Sequence, residues 1–418
     1  MKKGKAILKD TVLSGIGLLA MNAVLSLIVY PRIGETMGAE YQGRVLFFTS
    51  FAGLLASAFG CGANYGRLKI FSRDKETKNG DYNLFLLISF AFVAVLTVLA
   101  VVLKKDSAEE PWIMLILLGV SMVLRYYADV EFRLTLRYGH FCLYYVAIAV
   151  GYLAGLFLFP VTKSWVLVFL PGEIFGLVYC LIFGKVLRRP YVEHSVNVRK
   201  NVGLMLGLAG AYLLSDFVGL SDRLLFPILL ENGDKLTSYY YYASIVGKMM
   251  SLLSSPLNGA LIGHLSNEDG EISRKNFLKI IGIMAAVFVV VTAACVLGSH
   301  IFVLWRYPQY YEEVKDLFIL ATAGQVLFFI CNTLMVIVLR YTKPRNQIIT
   351  SAVYIAAFFL ITVPLILNYG LYGMAYGILA VNALKFIVFA VLGTIGLAKG
   401  TKSPEDFPRK GENEDEGL

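Results

Sequence analysis

Long apolar runs recur at near-regular intervals along this chain, and they constrain its fold more than any other feature. A helix needs about 20 apolar residues to cross a bilayer, whereas the strands of a membrane β-barrel alternate over only about 10. The runs here fit the helix, so we predict an all-α polytopic membrane protein with about twelve transmembrane helices. The predicted helices lie near residues 11–31, 45–65, 82–103, 112–128, 141–160, 167–187, 203–230, 238–263, 277–300, 315–339, 347–367 and 371–397.

The composition agrees with this class. Of the 418 residues, 57% are hydrophobic and only 16% are charged, so the chain lacks the charged surface of a soluble protein of this length. A net charge of +9 could indicate a nucleic-acid partner. The Lys and Arg residues, however, cluster in short connections between apolar runs, so we predict no nucleic-acid binding.

The distribution of positive charge predicts the orientation. A basic segment, residues 1–10, precedes the first apolar run, which extends past a weak cleavage-site pattern at residues 20–23. That extension favours a first transmembrane helix over a signal peptide. Most of the 38 Lys and Arg residues, with Arg125 assigned among them, fall on the side that holds the N-terminus. The positive-inside rule then predicts that both termini are cytoplasmic.

Signatures of enzymes, metals and cofactors are absent from the sequence. It contains no nucleotide-binding P-loop and no His-Glu-x-x-His motif, and its four histidines are scattered. The five cysteines lie inside apolar runs without a CxxC pair, as small buried side chains do. Every connection is too short for an extramembrane catalytic domain. We therefore predict a protein that is not an enzyme and binds no metal or cofactor.

The seventh predicted helix carries charges where hydrocarbon is expected. Asp216, Asp222 and Arg223 lie within one apolar run, and each costs at least ~2.5 kcal/mol if it faces lipid. Asp216 and Arg223 are seven residues apart, so they share a helix face about 10 Å apart. Asp222 and Arg223 point about 100° apart and therefore do not pair within the helix. Pro227 predicts a kink one turn after Arg223.

Two further cations fall near the middle of predicted helices. Lys248 lies in the eighth helix and Lys385 in the twelfth, so both could converge with Arg223 on one cavity. Three cations in a cavity would suit a phosphate or diphosphate ligand. Arg32 and Arg44, at the outer ends of the first two helices, are weaker candidates for the same cavity. The alternative is a set of internal Asp–Arg and Asp–Lys pairs that only fix helix packing.

Carboxylates inside the membrane are candidate sites for a coupling cation, a proton or sodium. Glu173 follows Pro171 and Gly172 in the sixth helix, where the backbone can open. Asp216 and Asp222 are the other candidates. Each of them could instead lack a special role. The tyrosines at 239–242 favour an aromatic belt at the headgroup level, with sugar stacking as the alternative.

Two segments of the chain resemble each other. Residues 27–67 and 222–259 both contain a helix end, a short outer loop with glycine and acid, a tyrosine, and a helix ending near an asparagine. Six predicted helices separate them, which indicates parallel repeats. We therefore predict two six-helix lobes around a central cavity. The predicted divisions are residues 1–187, a cytoplasmic linker 188–202, residues 203–397, and a disordered cytoplasmic tail 398–418.

The sequence around these repeats resembles a known family. The motifs are Tyr-Pro-Arg-Ile-Gly at 30–34, Met-Gly-Ala-Glu-Tyr-Gln-Gly at 37–43, Ser-Asp-Arg-Leu-Leu at 221–225, and Tyr-Tyr-Ala-Ser-Ile-Val-Gly-Lys at 241–248. They look like polysaccharide-biosynthesis flippases of the multidrug/oligosaccharidyl-lipid/polysaccharide transporter superfamily, over essentially the whole chain. Only Arg223, with its neighbour Asp222, carries over residue by residue.

The resemblance implies alternating access in a bacterial cytoplasmic (inner) membrane. The cargo would be an undecaprenyl-diphosphate-linked sugar repeat, moved to the outer leaflet for a surface polysaccharide such as capsule or O-antigen. Membrane lipid, a coupling cation, a glycan polymerase and glycosyltransferases would be its partners. A cation-coupled multidrug exporter of the same superfamily is the alternative, although its cationic drugs would favour an acidic cavity. A glycan polymerase or ligase is a third class, which normally needs a large outer loop.

Overall fold

The computed structural model describes residues 2–73, 78–104, 110–185, 191–252, 274–341 and 344–398. Within these ranges, ten helical segments are long and apolar enough to cross a membrane. Helices suit such segments because lipid offers no hydrogen-bond partner to the backbone, and a helix satisfies its own donors and acceptors. The prediction of an all-α polytopic membrane protein is therefore confirmed.

Twelve helices can be followed through the described residues, in the order predicted. They are α1 (Lys2–Val24, then a π-helical turn Leu25–Val29 and Tyr30–Met37), α2 (Ala39–Ala56, a π-helical turn Ser57–Cys61 and Gly62–Arg73), α3 (Asn79–Lys104), α4 (Trp112–Ala128, extended by Val130–Leu134), α5 (Tyr138–Thr162), α6 (Val166–Phe183), α7 (Val198–Leu229), α8 (Gly233–Leu252), α9 (Arg274–Arg306), α10 (Phe318–Tyr341), α11 (Pro344–Ala357, a π-helical turn Phe358–Thr362 and residues 363–369) and α12 (residues 371–398).

Two features explain how ten apolar segments contain twelve helices. The helix α8 is less apolar than the others, since it carries four consecutive tyrosines and a lysine. The last apolar segment, Ile349–Ile395, contains both α11 and α12. Gly370 separates them with φ 55° and ψ −121°, a conformation open only to glycine. The predicted boundary between residues 367 and 371 therefore falls on a real break.

The helices pack as two lobes, α1–α6 and α7–α12. In the first lobe, α5 packs against α1 and α6, and α4 packs against α3 and α6. In the second, α10 packs against α8, α9 and α12. Contact between the lobes runs mainly through α2, which packs against both α7 and α8. One buried cluster of apolar side chains is therefore shared by both lobes.

The segment that joins the lobes is fastened to the first lobe. Asp81, at the start of α3, is fully buried and accepts hydrogen bonds from the backbone N–H of Ser195 (3.0 Å) and from the side chain of Asn201 (2.8 Å). Helix α7 begins at Val198, inside the predicted linker 188–202. The predicted tail after residue 398 and the predicted end of α8 beyond residue 252 lie outside the described residues.

Candidate functional site

Arg223 lies where the two lobes meet. It belongs to α7, and its Nη1 is 3.5 Å from the Ser50 hydroxyl of α2, in the other lobe. Its guanidinium carbon stands 5.2 Å from the centre of the Tyr241 ring of α8. Its buried Nε has no hydrogen-bond partner among the described residues. Hydroxyl and aromatic contacts leave the charge of Arg223 without a neutralising carboxylate in the described part of the chain.

Asp222 and Lys248 form a pair of their own. The Lys248 ammonium donates to Asp222 Oδ2 across 2.5 Å, and the Asp222 side chain is 1% exposed. The contact joins α7 to α8 within the second lobe. This is the internal pairing that the sequence left open as an alternative to a cationic cavity. The structure thus brings together two of the predicted site residues that carry opposite charges.

Lys385 sits in a different environment, among α10, α11 and α12. Its ammonium is 3.2 Å from Asn332 Oδ1 and 4.5 Å from the centre of the Tyr354 ring. The rings of Phe328 and Phe389 complete the surroundings at 5.1 and 5.9 Å. All of these contacts lie within the second lobe. They stabilise the cation through an amide and through aromatic faces.

Asp216 also lies at the contact between the lobes, about two turns before Arg223. It is half-buried and accepts a short hydrogen bond from Ser57 of α2. Ser57 opens the π-helical turn Ser57–Cys61, and such turns often occur at functional positions. One turn further along, Tyr65 of α2 stacks on Tyr212 of α7 with ring centres 5.4 Å apart. The carboxylate of Asp216 is therefore held by the helix that bridges the lobes.

Glu173 is buried inside the first lobe, remote in sequence and in its contacts from the second. Its Oε1 accepts a hydrogen bond from the Tyr152 hydroxyl (2.6 Å) and lies 3.3 Å from Arg125 Nη1. Arg125 also donates to Tyr152 (2.7 Å). Glu173 Oε2 and Arg125 Nε have no hydrogen-bond partner among the described residues. Three helices, α4, α5 and α6, thus meet in one buried, incompletely bonded network.

Arg125 corrects the assignment of charge to the two sides of the membrane. The sequence analysis counted it among the loop cations, but its side chain is 4% exposed and it belongs to α4. A buried arginine tolerates this position because Glu173 neutralises it. One of the positive charges used to predict orientation therefore belongs to the interior of a lobe.

The two arginines predicted at the outer helix ends join the lobes at one end of the bundle. This distal end is formed by the end of α1, the start of α2, the end of α3, the start of α8 and the end of α9. Arg32 contacts Glu35 at 3.5 Å, and Glu35 in turn contacts Arg306 of α9 at 3.2 Å. Arg44 of α2 lies 3.9 Å from Asp234 of α8.

Asp234 receives a second cation from the first lobe. Lys104, the last residue of α3, forms a short contact with Asp234 Oδ1. Arg44 is also held by Glu40 at 3.1 Å, within α2. One carboxylate of the second lobe is thus clasped by two cations of the first. Ion pairs are what fasten this end of the lobe contact.

A polar and aromatic layer lies beneath these ion pairs. The buried Gln42 of α2 accepts a hydrogen bond from Tyr242 (2.6 Å) and donates one to Tyr307 (3.3 Å). The Tyr242 and Tyr307 rings are stacked, and both are fully buried. The expectation of an aromatic belt at residues 239–242 is therefore wrong for Tyr240, Tyr241 and Tyr242, which are fully buried. They pack the lobes together because α2 lies against this face of α8.

Sequence reasoning missed several of these residues for one shared reason. Arg125, Lys104, Asp234 and Gln42 acquire their partners from other helices, and a single sequence shows spacing only within one helix. The signal available was position: Lys104 and Asp234 lie at the predicted outer ends of helices, as Arg44 does. No group of three or more His, Cys, Asp and Glu residues that could hold a metal ion occurs in the part of the chain that the structure describes.

Known proteins resemble this chain in structure. No family model and no curated protein matches its sequence. Among solved structures, a MATE protein in complex with MaL6 aligns with TM-score 0.64 at 15% identity, covering 95% of this chain and 96% of its own. A multidrug resistance MATE family transporter of the MOP superfamily, in its inward-facing conformation, aligns with TM-score 0.64 at 15% identity, covering 96% and 100%.

A third structure is a MOP superfamily transporter from Pyrococcus furiosus Vc1, described as having a binding pocket of reverse polarity that suggests a different function. It aligns with TM-score 0.62 at 15% identity and covers 96% of this chain and 97% of its own. Likeness at this identity establishes the architecture and leaves activity to the site. The chain therefore has the two-lobed fold of MATE transporters of the MOP superfamily.

Proposed function

We propose that this protein is an alternating-access transporter whose cargo is an undecaprenyl-diphosphate-linked oligosaccharide. It would move that cargo from the cytoplasmic to the outer leaflet of a bacterial cytoplasmic membrane, with both termini in the cytoplasm. Glycosyltransferases would make the cargo and a glycan polymerase would consume it. The support comes from the fold, from the family resemblance and, above all, from the environment of Arg223.

Arg223 is the observation that carries the proposal. An arginine in a membrane helix normally has a carboxylate partner, because an unpaired charge is costly there. Arg223 contacts Ser50 of the opposite lobe and the face of Tyr241 instead, and its buried Nε has no described partner. A guanidinium with free donors at the contact between two lobes suits a phosphate or diphosphate that enters when they separate.

The other predicted cations contribute differently to this proposal. Lys248 is neutralised by Asp222, so cargo would reach it only by displacing that carboxylate. Lys385 keeps its charge in contact with an amide and three aromatic rings, all in the second lobe. We therefore assign the diphosphate contact first to Arg223. Asp216 is the preferred site for the coupling cation, because it lies at the lobe contact, whereas Glu173 is enclosed within the first lobe.

A second function, export of cationic drugs, has specific support. Two of the three similar structures named above are MATE proteins, one of them described as a multidrug resistance transporter. The fold comparison by itself therefore favours drug export at least as strongly. Asp216 could bind a cationic drug in that case, and Arg223 would repel it. The transporter of reverse pocket polarity supports variation of pocket charge within this superfamily.

Deletion of the protein from its native host separates the two functions. If it is the flippase, lipid-linked oligosaccharide accumulates in the inner leaflet, as measured by a leaflet-resolved assay, and drug susceptibility is unchanged. If it is a drug exporter, lipid-linked sugars keep their normal distribution and the cells become more sensitive to cationic drugs. Normal lipid-linked sugars would overturn the flippase proposal.

Substitution then tests the site. Arg223→Glu should abolish complementation of the deletion at normal membrane levels. Lys315→Glu is a matched control, because Lys315 is an exposed cation of the same lobe that pairs with Glu312. Full complementation by Arg223→Glu would remove Arg223 from the cargo path.

A further inference from the structure

The contact around Asp234 has the composition of an occupied anion site. Arg44 and Lys104 belong to two helices of the first lobe, and both point at one carboxylate of the second. Their side chains are only 22% and 12% exposed, so the site is a recess rather than an open surface. Lys104 also lies 5.0 Å from the centre of the Phe47 ring, which forms an apolar wall. Glu40 is the acid of the first lobe that contacts Arg44, and it is mostly exposed.

Separation of the lobes at the distal end would remove Asp234 from this recess, because Asp234 is carried by α8. The first lobe would then present Arg44 and Lys104 with Glu40 alone to balance them. Leaving partly buried cations uncompensated is costly, so either the lobes stay closed or another anion takes the place of the carboxylate. The same geometry that holds the distal end shut therefore creates an anion site when it opens.

We infer that Arg44 and Lys104 form an exchangeable anion site, occupied by Asp234 in the closed arrangement and by a phosphate or diphosphate group in the open one. The inference deepens the proposed function and rests on it for the identity of the natural anion. Exchange would let an anionic headgroup favour opening of the distal end by mass action, since a ligand shifts an equilibrium toward the state it binds better.

Distance measurements between spin labels test the exchange directly. Labels at Thr162→Cys and Glu313→Cys, in a background without the five native cysteines, report the separation of the lobes at the distal end. Both positions are exposed and lie in different lobes. Inorganic pyrophosphate is the probe, with chloride at equal ionic strength as the control for screening.

In the wild-type sequence, pyrophosphate should increase the population with a long label distance in a saturable way. Arg44→Gln and Lys104→Gln should each weaken the response to pyrophosphate at least about tenfold, which corresponds to about 1.4 kcal/mol. Asp234→Asn should shift the population toward the long distance without ligand and bind pyrophosphate several-fold more tightly, because the competing carboxylate is gone. Lys315→Gln should respond as the wild-type sequence does.

Three outcomes would overturn the inference. One is an Asp234→Asn variant whose distances and pyrophosphate affinity match the wild type. Another is an open Asp234→Asn variant while pyrophosphate has no effect on any variant. The third is a pyrophosphate response that persists in Arg44→Gln and Lys104→Gln, which would indicate binding elsewhere. None of these measurements uses the natural cargo, so their failure is distinguishable from failure of the flippase proposal.

Discussion

Lys248 on α8 and Asp222 on α7 are joined across 2.5 Å in the interior of the second lobe. Two adjacent residues of α7 thereby acquire different roles: Asp222 turns into its own lobe, and Arg223 turns toward α2. The division follows from helix geometry, since consecutive side chains point about 100° apart. A charged pair that looked like one feature in the sequence is two features in the fold.

Breaking the Lys248–Asp222 pair should destabilise the protein more than removing both charges. Lys248→Met leaves a buried carboxylate uncompensated, and breaking such a pair typically costs about 3–5 kcal/mol. Replacing both partners, as Lys248→Met with Asp222→Leu, should recover most of that loss. Thermal unfolding of the purified variants in detergent measures the difference. If Lys248→Met unfolds as the wild type does but fails to transport, the lysine serves the cargo and not the packing.

The buried network of the first lobe should behave in the same way. Arg125→Leu leaves Glu173 and the Tyr152 hydroxyl without their cation, so we expect a loss of about 3–5 kcal/mol of stability. Adding Glu173→Leu should reduce the loss. Arg137→Leu is the matched control, because Arg137 is exposed and donates only to the Phe183 carbonyl oxygen in a printed contact, and its loss should cost under about 1 kcal/mol. Equal melting temperatures for Arg125→Leu and Arg137→Leu would contradict this prediction.

The twelve helices were predictable because each element in lipid must satisfy its own backbone, which makes it visible as a local apolar run. Even the break at Gly370 coincides with the predicted boundary between the last two helices. Contacts between helices were not predictable in this way. The Lys248–Asp222 pair joins residues 26 positions apart, and the Arg125–Glu173 pair joins different helices of one lobe. Spacing within a helix carries no information about either.

The site shows the same limit. Arg223 was identifiable because a charge inside an apolar run stands out in one sequence. Arg125 was assigned to a loop because it lies near the end of its apolar run, and only the fold shows that Glu173 neutralises it. The tyrosines of α8 were expected in a belt because tyrosine is common at headgroups, yet α2 covers them. Tertiary packing decided each case.

Gly43 tests how closely α2 and α8 must approach. A Cβ at this position would lie 1.8 Å from the Asp234 carbonyl oxygen, so Gly43→Ala requires a backbone shift of more than about 1 Å. We expect the distal end to open, as a longer distance between labels at Thr162→Cys and Glu313→Cys. Gly207→Ala is the control, since nothing lies within 4 Å of a Cβ there. A Gly43→Ala variant with unchanged distances would show that α2 and α8 adjust without separating the lobes.

Asp216 provides the test of cation coupling. Its carboxylate is held by Ser57 across the lobe contact, in the π-helical turn of α2, so binding of a proton or sodium there would alter a contact that alternating access has to break. Asp216→Asn keeps the shape of the side chain and removes its charge. We expect the variant to move cargo down its own gradient in proteoliposomes but to lose the stimulation by an imposed proton or sodium gradient.

The matched control for this experiment is Ser215→Ala, an exposed neighbour on the same helix, which should retain full stimulation. Ser57→Ala removes the donor but leaves the carboxylate, so it should keep the coupling while weakening cation affinity or selectivity. Stimulation that survives in Asp216→Asn would exclude this carboxylate as the coupling site. Glu173→Gln would then be the next variant to assay, because Glu173 is the other predicted carboxylate without a described partner on one oxygen. A coupling role for Glu173 would require the cation to enter the closed network of Arg125 and Tyr152, whereas Asp216 needs only the lobes to part.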